Sequence, residues 1–286
     1  MIDKFVLGTA QLGIYNYGIN NSNKSLPDSK EIFDYLIDNN LKKIDTSIFY
    51  GSAPEIIGKY NNKKLLKIYT KIGKSNEIDQ FFKYTGLKKI HCCYVHNYSD
   101  FKNDKKVYDA LEKEKELGRI EKIGFSLYHP FEIEEILANN INVQIIQVPY
   151  NIFDRRFEKY FKYLKDQSIQ VVTRSCFLQG LFFKENLSFL RDKKIEKTTI
   201  SKIQRIKNIA KKYNLELATL CYAFNAINKN VDDVIVGNDN LSQLKQNLNN
   251  VKSIDSKSFN KILEELLDIS ESNEKIILPY LWKNNE

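Results

Sequence analysis

Four ionisable side chains stand near the carboxyl ends of short apolar runs in this 286-residue chain. Asp45 closes one run and Tyr50 follows it; Lys71 closes the next run and His96 the one after. A carboxylate, a phenol, an ammonium and an imidazole gathered at one place form a proton-delivery device. An ammonium beside a phenol favours the phenolate, because opposite charge within ~4–6 Å stabilises the charged form. Lys71 is therefore expected to lower the pKa of Tyr50, and Asp45 to hold the lysine ionised and oriented. His96 could then donate a hydrogen bond to a substrate oxygen. Each residue taken alone has a plainer role: strands often end in polar residues, Asp45 suits a turn, and Tyr50 can pack on its own loop. The case for chemistry lies in an order that lets the four neutralise one another.

Those side chains meet only if the ends of their strands meet. Apolar runs read as strands at Lys4–Thr9, Lys42–Thr46, Leu66–Lys71, Lys89–His96, Lys122–Ser126, Val143–Val148, Ile169–Ser175 and Asp233–Gly237. Between them, amphipathic patterns predict helices over Asp28–Asn39, Ala53–Tyr60, Asn76–Thr85, Lys105–Leu117, Pro130–Asn139, Phe157–Asp166, Thr199–Tyr213 and Leu241–Leu248. Pro27-Asp28 and His129-Pro130 supply helix starts, and Leu117-Gly118 a stop. Eight strands alternating with eight helices is the count of a (β/α)8 TIM barrel, which takes ~250 residues and collects its strand ends at one mouth. The competing doubly wound sheet brings a Gly-rich first turn, and G-x-G-x-x-G is absent. With no linker, repeat or low-complexity tract, residues 1–286 are expected to form one domain, with a C-terminal helix and tail from about residue 256. That tail carries a helix near Ser258–Ser270 and an apolar end, Ile276–Trp282. The longest irregular stretch, Gly180–Thr198, follows the seventh strand, where it could fold over an active-site mouth.

Composition narrows the function classes. Hydrophobic residues make up 42% and charged residues 28% of the chain, with a mean hydropathy of −0.44. No apolar run approaches the ~20 residues of a membrane span. The first residues, Met1 to Thr9, have neither the apolar core nor the cleavage site of a signal peptide. Four cysteines, with Cys92 and Cys93 adjacent and Cys176 and Cys221 alone, build no disulfide framework, so a cytoplasmic location is expected. The net charge of +8 comes from lysines scattered along the chain without a basic arm, which points to a solvated surface rather than to nucleic acid.

Several local motifs mislead. Gly73-Lys74-Ser75 resembles the end of a P-loop, but the first glycine of that motif would fall at Ile68. His91, Cys92, Cys93 and His96 alternate across a strand and cannot converge on one ion, so no metal is expected. Asp232-Asp233 precedes a strand, at the barrel face that serves stability. A glycosidase needs two carboxylates across a cleft, and only Asp45 is well placed.

The segment Ile44-Asp45-Thr46-Ser47-Ile48-Phe49-Tyr50-Gly51-Ser52, followed by Glu55-Ile56-Ile57-Gly58, closely resembles the aldo-keto reductase signature around its catalytic Asp and Tyr. Thr70-Lys71-Ile72-Gly73 is similar to that family's lysine segment, and Tyr94-Val95-His96-Asn97 to its histidine segment. The likeness continues through Gly118–Ser126, Gln147-Val148-Pro149-Tyr150-Asn151, Val236-Gly237-Asn238 and Leu241–Asn247, in the family's order. It implies a TIM barrel with a nicotinamide cofactor, NADPH or NADH, lying across its mouth. The activity implied is hydride transfer to the aldehyde or ketone of a small molecule. Tyr50 would be the general acid, Lys71 and Asp45 would tune it, and His96 would orient the carbonyl.

The resemblance also assigns cofactor contacts. Ser126 and Gln147 occupy the places that hold the nicotinamide carboxamide, while Leu127 replaces an asparagine common there. Arg174 stands where many members put a tyrosine stacked on the nicotinamide. A guanidinium can stack as well, or it can pair with the pyrophosphate. Ser175, Leu178 and Gly180 resemble the segment wrapping the diphosphate, although Cys176-Phe177-Leu178 also reads as simple loop packing. Thr9, Gly237, Asp239, Gln243 and Asn247 complete the set. After the eighth strand, members that prefer the phosphorylated cofactor place basic residues; here Asn238-Asp239-Asn240 stands instead. A carboxylate suits a free ribose 2′-hydroxyl, so NADH preference or dual use is expected. The alternative is that Asp239 caps the following helix. The loop Gln11–Asn20, rich in aromatics and amides, together with Arg174–Gly180, looks like a bacterial branch linked to surface-carbohydrate synthesis. A keto-sugar or sugar nucleotide is the substrate this suggests, with Tyr15, Tyr17 and Trp282 as pocket walls. A nicotinamide-binding barrel acting as a sensor is the competing reading, although a pure binder needs no acid.

Overall fold

Side chains alternate inward and outward along a strand, and in a closed barrel that alternation decides which residues share the interior. The computed structural model describes residues 1–15, 17–18, 28–190, 192–252, 254 and 256–282, the side chains of 256–258 aside. Its strands are β1 (Phe5–Gly8), β2 (Lys43–Asp45), β3 (Lys67–Ile72), β4 (Ile90–Val95), β5 (Ile120–Ser126), β6 (Ile145–Pro149), β7 (Gln170–Arg174) and β8 (Asp233–Gly237). They run parallel in sequence order, and β8 closes on β1 through Phe5 beside Val234 and Gly8 beside Gly237. This is the single-domain (β/α)8 barrel expected from the alternation of elements.

Inside the barrel Val6, Tyr69, Cys92, Tyr94, Ile145, Val172 and Ile235 pack into one plug. One inward step further along the same strands, two residues on, come Gly8, Lys71, His96, Gln147, Arg174 and Gly237. Asp45 enters this layer in register with Gly8, and Ser126 in register with Gln147. The layer above the plug is thus polar or glycine throughout. Below the plug, the buried Asp233 carboxylate accepts from Tyr69 Oη (2.8 Å), Lys43 Nζ (2.5 Å) and Gln170 Nε2 (3.0 Å). Outward residues such as Ile44, Ile68, Phe125, Ile146 and Val171 meet Phe33, Ile57, Phe81, Leu111, Ile136 and Leu164 of the surrounding helices. Each such side chain contributes ~1.5–3 kcal/mol by leaving water.

Helix boundaries follow local chemistry. Asp28 caps the helix Ser29–Asp38 by accepting from Lys30 N and Glu31 N, while Pro27 lies outside the described residues. Gly86, left-handed at φ 63°, closes Glu77–Thr85. The helix expected from Thr199 begins at Lys193, because Asp192 accepts from Lys194 N and Ile195 N and caps it. The irregular stretch after β7 is correspondingly shorter and contains short 3-10 turns at Leu178–Phe183 and Ser188–Leu190. A second helix, Leu217–Ala226, follows before β8; nearly all of it is buried, so it lacks the amphipathic period that marks a surface helix. The tail helix runs Ser256–Leu266, and a 3-10 turn continues it over Leu267–Ile269. Among the described residues no helix is long and apolar enough to cross a membrane.

Candidate active site

Asp45, Lys71, Tyr50 and His96 all line one cavity of about 400 Å³ at the carboxyl end of the barrel. Lys71 Nζ lies 2.6 Å from Asp45 Oδ1, and both side chains are almost wholly buried. The same ammonium donates to the Thr46 carbonyl (3.1 Å) and stands 5.1 Å from the centre of the Tyr50 ring. The other Asp45 oxygen accepts from Gln147 Nε2 at 2.9 Å. His96 stacks on Phe49 with ring centres 5.0 Å apart. Burial, with Lys71 and then Arg174 nearby, lowers its pKa to about 3, so the imidazole is neutral.

For Tyr50 the structure reverses the sign expected from sequence. Burial raises its pKa above that of a free phenol, the Asp45 carboxylate raises it further, and Arg174 only partly opposes them. Lys71 does not draw the proton off, because its charge is matched by Asp45. Tyr50 is accordingly a protonated phenol.

Two backbone approaches fix where Tyr50 stands. The short helix Ala10–Gly13 after β1 lies against the Tyr50 loop, and Ser52 N donates to Gly13 O (3.2 Å). A Cβ on Gly13 would fall 2.0 Å from Tyr50 O, and one on Gly51, at φ 52°, would fall 2.1 Å from Gly13 O. Only glycines permit this crossing.

Ser126, Gln147, Arg174, Ser175, Gly180, Gly237, Asp239, Gln243 and Asn247 also line the cavity. Thr9 does not: it is buried and its hydroxyl donates to the Asp45 carbonyl at 3.1 Å, so it braces the β1–β2 end instead. Leu178 is likewise absent from the lining and lies in the hydrophobic core, the loop-packing role. Arg174 donates to Leu127 O (3.0 Å) and Ser175 Oγ (3.4 Å), and its guanidinium lies 4.2 Å from the centre of the Tyr128 ring. After β8, Asn240 Oδ1 accepts from Gln243 N (2.8 Å), while Gln243 Oε1 accepts from Asp239 N (2.7 Å). Asn240 therefore provides the helix cap that Asp239 was an alternative for.

The fit of a nicotinamide can be judged at Gln147. Its amide nitrogen faces a carboxylate, which fixes the orientation of the group, and leaves Oε1 buried with no partner. A carboxamide N–H is a donor of the kind that acceptor lacks, with the neighbouring Ser126 hydroxyl beside it. The residues present fit the group.

Among the substrate candidates Tyr15 and Tyr17 line the mouth, and Tyr15 is exposed. Trp282 is not at the mouth: it packs on Phe189, with ring centres 5.4 Å apart, and donates to Lys275 O (3.0 Å). The residues 16, 19 and 20 of the β1 loop lie outside the described residues. The sequence does not single out Tyr128 or Phe183 of the lining, and it offers Gln11 and Phe177 only as members of their loops. Tyr128 was findable, since it lies two residues beyond Ser126 and extends the same inward alternation. Gln11 was not: its amide packs directly on the Cα side of Gly237, a contact between distant segments.

A barrel whose mouth holds an Asp–Lys ion pair, a protonated Tyr and a neutral His has the parts of a proton-coupled oxidoreductase. A model of the Aldo/keto reductase family matches residues 4–267, and the chain belongs to that family of oxidoreductases. Among solved structures it is similar to aldo-keto reductase AKR11C1 from Bacillus halodurans in its holo form, with a TM-score of 0.77 and 17% identity over 95% of this chain and 94% of that one. It is also similar to the glycerol dehydrogenase AKR11B4 from Gluconobacter oxydans, with a TM-score of 0.69 and 18% identity over 92% and 91% of the two chains. At these identities the likeness concerns the fold alone. No curated protein matches the sequence.

Proposed function

We propose that this chain reduces the aldehyde or ketone of a small molecule using NADPH or NADH, with Tyr50 as general acid. The observation that carries this reading is a phenol kept protonated beside an imidazole kept neutral, above the Asp45–Lys71 ion pair. When bound, the nicotinamide supplies the hydride that adds to the carbonyl carbon. The protein's own residues manage the oxygen. Neutral His96 donates an N–H to the carbonyl oxygen, and Tyr50 Oη gives its proton as that oxygen becomes an alkoxide. Lys71, 5.1 Å from the Tyr50 ring centre, then stabilises the phenolate left behind. Asp45 keeps Lys71 charged and in place, and Gln147 and Ser126 hold the carboxamide.

A keto-sugar, free or nucleotide-linked, is the substrate class that the aromatic mouth at Tyr15 and Tyr17 supports. Lys71 and Arg174 are the cations among the described lining residues, and neither belongs to the Asp239–Asn247 end. That supports NADH use at least equal to NADPH. Four free, buried cysteines and scattered lysines are in keeping with a cytoplasmic protein that does not bind nucleic acid.

Titration of the purified protein with NADH and NADPH, followed by fluorescence, tests the cofactor; NADH is expected to bind at least as tightly. Turnover of keto-sugars should fall by ~10²–10⁴-fold in Tyr50→Phe, the span of general acid catalysis, with cofactor affinity retained. Full turnover in Tyr50→Phe would remove the acid assignment. Cofactor binding with no turnover of any carbonyl compound by the wild type would favour a sensor.

A further inference from the structure

The charges at the reacting end of the cavity do not cancel. Lys71 is paired with Asp45, and His96 is neutral. Arg174 has only uncharged partners among the described residues: Leu127 O, Ser175 Oγ and the face of Tyr128. Its charge is felt at Tyr50, Tyr17 and His96, so it acts on the space where the carbonyl must lie.

Hydride transfer needs donor and acceptor atoms ~3–3.5 Å apart. A nicotinamide ring that delivered hydride to a carbonyl held by Tyr50 and His96 would lie beside it, and the unpartnered Gln147 Oε1 would be available to its carboxamide. That ring is neutral when reduced and carries a full positive charge when oxidised. An unneutralised guanidinium lining a partly enclosed cavity therefore interacts differently with the two forms.

We propose that Arg174 makes this pocket select the reduced nicotinamide over the oxidised one by repelling the pyridinium charge. The inference rests on the nicotinamide reading of the site and adds a direction to it. The protein loads with reduced cofactor and expels the oxidised product, a bias suited to carbonyl reduction. Tyr128 and Leu127 O are the positioning groups, holding the guanidinium without neutralising it.

The test is calorimetric titration of wild type, Arg174→Met and Arg174→Lys with NADH, NAD⁺, NADPH and NADP⁺. For each pair, the ratio of the oxidised to the reduced Kd is the readout. It should fall by roughly tenfold or more in Arg174→Met, as expected for loss of a unit charge close to the ring, and persist in Arg174→Lys. Where Arg174→Met does not fold, Arg174→Gln removes the same charge. An unchanged ratio in the neutral variant overturns the proposal even if both forms bind more weakly, and so does loss of the ratio in Arg174→Lys. Wild type that binds none of the four nucleotides would instead overturn the cofactor reading itself.

Discussion

His96 shows how far a pocket can move one side chain from its ordinary behaviour. The imidazole of the unfolded chain takes up a proton near 6.5, whereas burial and two neighbouring cations hold the folded one to about 3. Stability from this group is therefore complete above pH 6.5 and drains away as the pH falls toward 3, because the unfolded state binds the proton first. Wild type should lose more stability between pH 7 and pH 4.5 than His96→Asn, read as the shift in urea midpoint. Equal losses in the two proteins would mean that the folded imidazole is solvated and titrates normally. That Asp45, Tyr50, Lys71 and His96 share one mouth was legible in the sequence, since their types and spacing require no coordinates. The protonation of Tyr50 was not. Spacing pairs Asp45 with Lys71 beside the phenol but does not reveal how deeply Tyr50 is buried, and burial is the largest cause of its raised pKa.

Elements carry those residues to one place, and the least tolerant contact is between two loops. Gly13 O accepts from Ser52 N, and neither Gly13 nor Gly51 has room for a Cβ. Gly13→Ala would push the Tyr50 backbone away, costing about 1–3 kcal/mol as overpacking of a close contact. Because Tyr50 moves while Gln147 and Arg174 do not, kcat should fall by at least about tenfold with little change in cofactor Kd. An unchanged kcat would mean that the loop yields without moving the phenol. All eight strands could be read from apolar runs, because a strand buried on both faces announces itself by composition. The helix Leu217–Ala226 escaped for a related reason: it is buried nearly all round and offers no polar face to set its period. Thr9 and Leu178 hold cofactor positions in the motif, yet the Thr9 side chain braces the β1–β2 end and that of Leu178 lies in the core, because a motif does not say which way a side chain turns.

At the scale of the molecule the barrel divides its interior charges between two ends with an apolar plug between them. The upper end holds Asp45 and Lys71, and the lower end holds Asp233 with Lys43, Tyr69 and Gln170. The sequence places Asp233 on the stability face by its position at the start of β8 rather than at its end. The geometry gives that face a physical content. The Asp233 carboxylate is fully buried; its removal would take the acceptor from Tyr69 Oη and Gln170 Nε2 and leave Lys43 Nζ only the Asp3 carbonyl. Asp233→Ala should therefore destabilise the barrel by about 3–5 kcal/mol, the cost of breaking a buried pair from one side. Cofactor affinity should stay within about twofold of wild type below the unfolding transition, since distant sites with no shared partners act independently. Urea unfolding and cofactor titration of the one variant measure both quantities. A large loss of cofactor affinity with unchanged stability would place Asp233 in communication with the mouth through Tyr69 and the plug, and would end the division of labour between the two ends.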